Sequence, residues 1–153
     1  MSVKAIPDGY HSITPYLICR DAARAVEFYQ QALGARIKGG VMKGPDGKVM
    51  HAELVIGDSI IMLADENPER GASSPQTIGG SPMSMLVYVP NVDEVFAKAM
   101  AAGARQVSPV EKQFYGDRSG GFLDPFGHAW HVSTHVEDVS PEELQRRMAA
   151  MRK

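Results

Sequence analysis

The sequence repeats one helical pattern at an interval of about 70 residues. Apolar residues recur at helical spacing over Ala22–Leu33, and a similar arrangement returns over Val92–Ala102. Both segments run into the tripeptide Gly-Ala-Arg, which begins at Gly34 and at Gly103. Glycine is favoured just after a helix because that position adopts a positive φ. A repeat of this kind indicates two copies of one supersecondary unit.

Segments rich in strand-forming residues surround each helix in the same order. Each copy predicts one strand, the helix and three further strands, so the chain is predicted to contain two βαβββ modules. The predicted strands are Ile13–Cys19, Arg36–Met42, Val49–Ile56 and Ser59–Ala64 in the first module, and Met83–Val89, Arg105–Val110, Arg118–Leu123 and Ala129–Thr134 in the second. The segment Ser140-Pro-Glu-Glu143 combines a Ser N-cap, a Pro at the first helical position and a Glu at the third. It predicts the start of a C-terminal helix.

These elements predict a single α+β domain. Module one spans about 12–65, a linker rich in Gly, Ser and Pro spans 66–82, module two spans about 83–135, and the C-terminal helix spans 140–152. Two such modules cannot each cover their own sheet. We therefore expect a half-open barrel in which the helices lie outside and a ligand cleft lies between the sheets.

Composition and charge narrow the function classes. The formal net charge is −2 with no long run of one sign, which argues against nucleic acid or an anionic membrane as a partner. Cys19 is the only cysteine and lies in an apolar run, so we expect a buried core residue and no cysteine-based metal site. The sequence contains no signal-peptide pattern and no segment of membrane-spanning length, so we expect a cytoplasmic protein.

Several short motifs, together with the repeat, resemble the vicinal oxygen chelate superfamily. The motifs are Phe28-Tyr29, Leu33-Gly-Ala35, Gly116-Asp-Arg118, Asp124-Pro-Phe-Gly-His128 and Trp130. The resemblance covers residues 11–146 and is closest to the PhnB-like branch of the glyoxalase/bleomycin-resistance proteins. It implies the two-module fold and a homodimer. The superfamily also includes fosfomycin-resistance proteins and extradiol dioxygenases, so the resemblance does not define a reaction.

In metal-dependent members of this superfamily, the first and last strands of each module each supply one metal ligand, usually His or Glu. Carried over with the 70-residue interval, these positions fall at Thr14, Ile61, Ser84 and His131. A shift of one residue replaces Ile61 by Met62. Only His131 is a good ligand for a transition metal, so the usual ligand set is incomplete and we expect no metal cofactor.

A displaced divalent-metal site remains a second interpretation. His51 and Glu53 alternate on the third predicted strand and share one face. A His–Glu pair can bind metal, transfer a proton or simply form a hydrogen bond. With His131, the pair would supply three ligands if all of them faced the cleft. His131 is also the candidate for a catalytic acid or base, and the alternative is a histidine bonded to neighbouring backbone.

Other side chains are candidates for binding a ligand. Tyr16 and Tyr88 are predicted at equivalent positions on the first strands of the two modules, where they line the cleft or fill the core. Tyr115 and Arg118 lie in one segment. The arginine suits a carboxylate or phosphonate group, and its alternative role is to hold the loop through backbone bonds.

The sequence thus favours a protein that binds a small anionic or polar molecule between its sheets without a metal. The alternative is a divalent-metal-dependent lyase, isomerase, transferase or dioxygenase that uses the displaced site. No Walker loop, nucleophile elbow or dinucleotide-binding glycine motif occurs in the chain.

Overall fold

The computed structural model describes residues 2–152 as two compact units, each with its own four-stranded sheet. The first unit comprises the described residues as far as Pro82 together with Pro125–His128. The second unit comprises Met83–Asp124 and the described residues from Ala129 onward. The two predicted βαβββ modules and the C-terminal helix are confirmed.

The helices and strands follow the predicted order. The strands are β1 Tyr16–Cys19, β2 Arg36–Lys43, β3 Val49–Ile56, β4 Ser59–Asp65, β5 Ser84–Tyr88, β6 Arg105–Lys112, β7 Asp117–Leu123 and β8 Ala129–His135. The helices are α1 Ala22–Leu33, α2 Pro75–Ile78, α3 Val92–Ala101 and α4 Pro141–Met151, with one 3₁₀ turn at Pro68–Arg70.

The first sheet has the order β1-β4-β3-β2, in which β1 is parallel to β4 and the other pairs are antiparallel. Asp21 caps α1 by accepting a hydrogen bond from the Arg24 backbone N–H, and Gly34 ends the helix at φ 65°. The buried Tyr29 of α1 and the buried Leu54 and Leu63 of the sheet belong to the core. Cys19 is fully buried, as predicted.

The second sheet repeats this arrangement in the order β5-β8-β7-β6. The ring of Phe96 on α3 meets Phe122 on β7 edge to face, with 6.0 Å between the ring centroids. Gly120 lies under the same helix, because a Cβ added there would come within 3.0 Å of Phe96 and 2.8 Å of Val110. Alternation along the strands therefore leaves Tyr88, His131 and other residues of β5 and β8 on the opposite, open face.

The segment between the modules is more ordered than its composition suggests. It contains the 3₁₀ turn and α2, and Ser74 caps α2 through a hydrogen bond from the Thr77 backbone N–H. The Glu66 carboxylate accepts hydrogen bonds from the Ser74 backbone N–H at 3.0 Å and from the Thr77 hydroxyl at 2.7 Å. These donors lower the pKa of Glu66 to about 2. The linker shows no apolar periodicity in the sequence because polar caps build its short helices.

The Asp124-Pro-Phe-Gly-His128 turn was predicted to belong to the second module. It does join β7 to β8, but Pro125–His128 is part of the first unit. A His128 ring nitrogen (Nε2) lies 2.9 Å from the Ile18 carbonyl oxygen, and the rings of Phe126 and Phe28 pack edge to face at 6.3 Å. The first unit is therefore built from two separate stretches of chain.

The C-terminal helix is held in the second unit by Arg147. Its guanidinium donates hydrogen bonds to Glu143 at 2.8 Å, to Glu137 at 2.6 Å and to the Phe114 carbonyl at 3.0 Å. Hydrogen bonds from Arg147 and from Lys112 lower the pKa of Glu137 to about 2. No residue of this helix is buried, so these polar contacts are a main source of its attachment.

Candidate functional site

The open face of the first sheet carries a continuous series of hydrogen-bonded side chains, which we call the His51 chain. It consists of Tyr10, Glu53, His51 and Tyr16. The Tyr10 hydroxyl donates to one oxygen of Glu53, and the other Glu53 oxygen lies 3.1 Å from His51 Nε2. The second ring nitrogen of His51, Nδ1, lies 2.8 Å from the Tyr16 hydroxyl. His51 is thus held between a carboxylate and a phenol.

The protonation state of the His51 chain follows from its partners. The hydrogen bond from Tyr10, and then that from His51, lower the pKa of Glu53, so its carboxylate is ionised and only accepts. His51 Nε2 therefore donates to Glu53, and in the neutral form of the imidazole Nδ1 accepts from the Tyr16 hydroxyl. Partial burial and the charge of Glu53 raise the pKa of Tyr16. The phenol of Tyr16 is therefore protonated at neutral pH.

Two pockets of the first unit meet the two ends of the His51 chain. A pocket of about 600 Å³ is lined by Tyr16, Lys48, Asp65 and Arg70, among other residues; we call it the Tyr16 pocket. A second pocket, of about 450 Å³, is lined by Tyr10, Glu53, Thr14 and Met62 among others. Both volumes lie in the range of small-molecule sites.

The charged side chains of the Tyr16 pocket differ in whether they already have a partner within the protein. The two oxygens of Asp65 accept hydrogen bonds from the Ala22 and Val49 backbone N–H groups, each at 2.7 Å. Lys48 and Arg70, by contrast, form no ion pair within residues 2–152. Lys48 and Arg70 are therefore cationic donors left for a ligand in this pocket. Asn67 and Asp46 also line it, and the Asp46 carboxylate accepts from the Lys48 backbone N–H.

The open face of the second sheet carries a related arrangement, which we call the His135 chain. It consists of Tyr88, Asp117, His135 and Asp138. The Tyr88 hydroxyl donates to Asp117 at 2.8 Å, and the other Asp117 oxygen lies 2.7 Å from His135 Nδ1. His135 Nε2 lies 2.8 Å from Asp138. Both ring nitrogens face a carboxylate, so both donate and the imidazolium form is favoured.

The His135 chain predicts a pH-dependent contribution to stability. Hydrogen bonds to Asp138 and Asp117 raise the pKa of His135 above its ordinary value of 6.5. A raised pKa in the folded state contributes stability that is complete below the unfolded pKa and is lost as pH rises through the folded pKa. We expect the melting temperature of His135→Gln to lie below that of the parent protein in mild acid, with the gap closing above neutral pH.

Scanning calorimetry of both proteins from pH 5 to pH 9 measures this gap. His11→Gln is the matched control, because His11 is exposed and forms no hydrogen bond or ion pair within residues 2–152. Parallel curves for the parent protein and His135→Gln across this range would contradict the interpretation.

Arg118 does not lie with the other candidates. Its guanidinium donates two hydrogen bonds to Asp93 on α3, at 2.8 and 2.7 Å. Alternation along β7 places Arg118 on the helix-covered side and Asp117 on the open side. The interpretation of Arg118 as a ligand-binding fork stays a prediction, and its guanidinium is already paired with Asp93. Tyr115 is 42% exposed and its ring packs edge to face on Phe114.

His131 lies exposed on the open face of the second sheet, in register with Leu86. Gly121 lies beside it, because a Cβ at that glycine would come within 3.2 Å of the imidazole. His131 belongs to a different unit from His51 and Glu53. Within residues 2–152 no three His, Cys, Asp or Glu side chains are grouped so that they could hold a metal ion. The displaced site built from His51, Glu53 and His131 draws on two units and stays a prediction.

The positions implied by the 70-residue interval need one correction. Ile61 is 5% exposed and lies on the helix-covered face, whereas Met62 pairs with Tyr16 and with Glu53 on the open face. The interval is 70 residues between the helix N-caps Asp21 and Asn91, but it is already 69 between Gly34 and Gly103, as it is between Met62 and His131, because the segment from N-cap to glycine is one residue shorter in the second module. At the 70-residue interval the counterpart of Tyr16 is Leu86, not Tyr88.

The sequence analysis missed the role of Tyr10 and the pairing of Asp117 with His135. Tyr10 lies in the segment before β1, and no periodic pattern points to its bond with Glu53. The pairing of Asp117 with His135 could have been found by counting back along the hairpin from Leu123 and Ala129, which are also paired. Thr14 and Ser84 form no ion pair or hydrogen bond through their side chains within residues 2–152.

Comparison with known proteins supplies the family. The family model described as Glyoxalase/Bleomycin resistance protein/Dioxygenase superfamily matches residues 9–132. The chain belongs to this superfamily. Its fold, two βαβββ modules with a C-terminal helix, is that of the solved relatives.

Individual relatives agree with this assignment. An uncharacterized protein from Mycobacterium bovis is 39% identical over 142 residues, which is 91% of this chain and 93% of the relative. The crystal structure of TioX from Micromonospora sp. is 29% identical, covers 82% of this chain and 99% of its own, and has a TM-score of 0.62. The PhnB protein from Bacillus cereus shares the fold at 20% identity, covers 81% of this chain and 99% of its own, and has a TM-score of 0.63.

No helix among residues 2–152 is both long enough and apolar enough to span a membrane.

Proposed function

We propose that this member of the superfamily binds a small polar or anionic molecule in the Tyr16 pocket. The observation that carries the proposal is a pocket of about 600 Å³ whose lining includes the cations Lys48 and Arg70, neither of them in an ion pair within residues 2–152, together with Tyr16, whose hydroxyl lies against His51. Cationic donors favour a carboxylate or phosphate group on the ligand. The carboxylates of Asp65 and Glu66 are held by other donors.

We propose that binding at this pocket requires no resident metal. The positions at which the family supplies ligands carry Thr14, Met62, Ser84 and His131, that is two hydroxyls, one thioether and one imidazole. This donor set does not suit a divalent transition metal.

The proposal predicts a specific dependence on charge. Screening of small carboxylates and phosphates by thermal shift should identify ligands, and calorimetry should then give their affinity. We expect Lys48→Ala or Arg70→Ala to weaken the best ligand about ten- to a hundredfold, because each removes a charge-assisted hydrogen bond. Arg24→Ala is the control, because this exposed arginine lies on α1, away from the lining residues of the pocket.

Equal affinity in Lys48→Ala, Arg70→Ala and Arg24→Ala would reject the Tyr16 pocket as the site. A ligand whose affinity falls only in His131→Ala would move the site to the second unit.

We also propose that the protein is isolated as a metal-free homodimer. Leu86 and Tyr88 are 51% and 61% exposed on the second unit, which supports burial of this apolar surface by a second chain. Elemental analysis of protein purified without chelator, with light scattering on the same sample, tests both statements. A stoichiometric divalent metal that is lost in His131→Ala would instead favour the metal-dependent enzyme, and a monomeric mass would reject the dimer.

A further inference from the structure

The phenol of Tyr16 is the exposed end of a relay within the His51 chain. The Tyr16 oxygen lies 2.8 Å from His51 Nδ1, and His51 Nε2 lies 3.1 Å from Glu53. Tyr16 itself is 47% exposed. A hydroxyl within hydrogen-bond reach of a base, with the base oriented by a carboxylate, is the arrangement that activates a nucleophile.

The acceptor distinguishes Tyr16 from other tyrosines of the chain. The hydroxyls of Tyr10 and Tyr88 donate to the carboxylates of Glu53 and Asp117. A carboxylate is too weak a base to retain the phenol proton at neutral pH. The Tyr16 hydroxyl instead lies against an imidazole nitrogen, which in the neutral ring can accept and retain the proton while the phenol oxygen forms a new bond.

Glu53 is itself fixed on both sides. Tyr10 donates to one of its oxygens, and the ammonium of Lys38 lies 5.1 Å from the centroid of the Tyr10 ring. The second oxygen is thereby kept in place for His51. The carboxylate would stabilise an imidazolium as it forms, which is the role of the third member in such relays.

We propose that Tyr16 is a nucleophile toward small activated acyl compounds, with His51 as its general base and Glu53 as the group that orients this base. The inference rests on the proposed function in one respect, that the acyl compound enters the Tyr16 pocket. The cations Lys48 and Arg70 line that pocket and favour the negative oxygen that develops when a carbonyl is attacked.

The reaction balances without a further cofactor. The Tyr16 oxygen bonds to the acyl carbon as its proton passes to His51 Nδ1, the bond between the acyl carbon and the leaving oxygen breaks, and the leaving group departs with the electron pair. The imidazolium then returns its proton to the leaving group or to solvent. Water hydrolyses the Tyr16 ester, with His51 accepting the proton of the water, and releases the carboxylic acid and the free phenol.

The test uses 4-nitrophenyl acetate as the probe with the full-length protein. Release of nitrophenolate is followed by absorbance, and acetylated tyrosines are located and timed by peptide mass spectrometry. We expect Tyr16 to be acetylated first, and His51→Ala to slow its acetylation about 100-fold, the usual contribution of a general base. Tyr16→Phe should remove this fast phase of release, and Tyr88→Phe should leave it unchanged.

Glu53→Gln provides a second variant with a small change of shape. Its amide oxygen can still accept from His51 but carries no charge, so we expect slower acetylation of Tyr16 in a protein of similar melting temperature. Equal acetylation rates at Tyr16 and Tyr88, or an unchanged rate at Tyr16 in folded His51→Ala or Glu53→Gln, would overturn the proposal.

The same experiment separates this inference from the proposed function. A carboxylate or phosphate identified by thermal shift should slow acetylation of Tyr16 in proportion to its occupancy of the pocket. If such ligands bind in a Lys48- and Arg70-dependent manner while Tyr16 is not acetylated faster than Tyr88, the relay is rejected and the binding site stands. If Tyr16 is acetylated rapidly but no ligand depends on Lys48 or Arg70, the binding proposal is rejected instead.

Discussion

Gly116→Ala should lower the free energy of unfolding of the second unit by about 4 kcal/mol. A Cβ at this position would lie 2.1 Å from the Glu137 backbone oxygen, and the backbone has a φ of +106°. The carbonyl oxygen of Gly116 also accepts from the Val136 and Glu137 backbone N–H groups at 3.0 Å. A side chain here would push apart the two segments that hold Asp117 against His135.

Urea unfolding followed by fluorescence measures this loss, because Trp130 is the only tryptophan and lies in the second unit. Gly39→Ala is the matched control. Gly39 has a φ of +71° but no atom within 4 Å of an added Cβ, so its substitution should cost only the backbone strain of about 1 kcal/mol. Similar losses in the two variants, measured for Gly39→Ala by circular dichroism, would show that the contact with Glu137 is unimportant.

Asp65→Ala should destabilise the first unit by about 3 kcal/mol, because it leaves two backbone donors without their acceptor. The oxygens of Asp65 accept from the first N–H of α1, at Ala22, and from the N–H of Val49 at the start of β3. Both of these residues are buried, so water cannot easily replace the carboxylate. One side chain at the end of β4 therefore joins a helix to a neighbouring strand.

Asp46→Ala is the control for this prediction, because Asp46 accepts from a single exposed donor, the Lys48 backbone N–H at 3.1 Å. Amide hydrogen exchange tests the mechanism directly. Exchange at Ala22 and Val49 should accelerate in Asp65→Ala and remain unchanged in Asp46→Ala. Thermal midpoints that fall equally in the two variants would contradict the assignment.

The elements of the fold could be predicted from local patterns. The strands β3 and β4 and the helices α1, α3 and α4 begin where the sequence predicts, because turn residues, caps and apolar spacing act over a few neighbouring positions. The face on which a residue lies depends on register, and register depends on the exact length of each turn. An error of one residue exchanged Ile61 for Met62.

Only part of the candidate site could be predicted from the sequence. The pair His51 and Glu53 follows from strand alternation, and both residues lie in the His51 chain. The contribution of Tyr10 comes from a segment without regular structure, 43 residues away in sequence from Glu53. Contacts at that separation are set by tertiary packing, for which a single sequence carries no local signal.

The Pro125–His128 turn determines when the first unit can complete its folding during synthesis on the ribosome. A chain emerges from its N-terminus, and simple domains complete their folding as they emerge. Here the first unit lacks Phe126 beside Phe28, and His128 beside the Ile18 carbonyl, until most of the second unit has been translated. Its last interactions must form late, so a nascent chain stalled before Pro125 should carry an unfinished and protease-sensitive first unit.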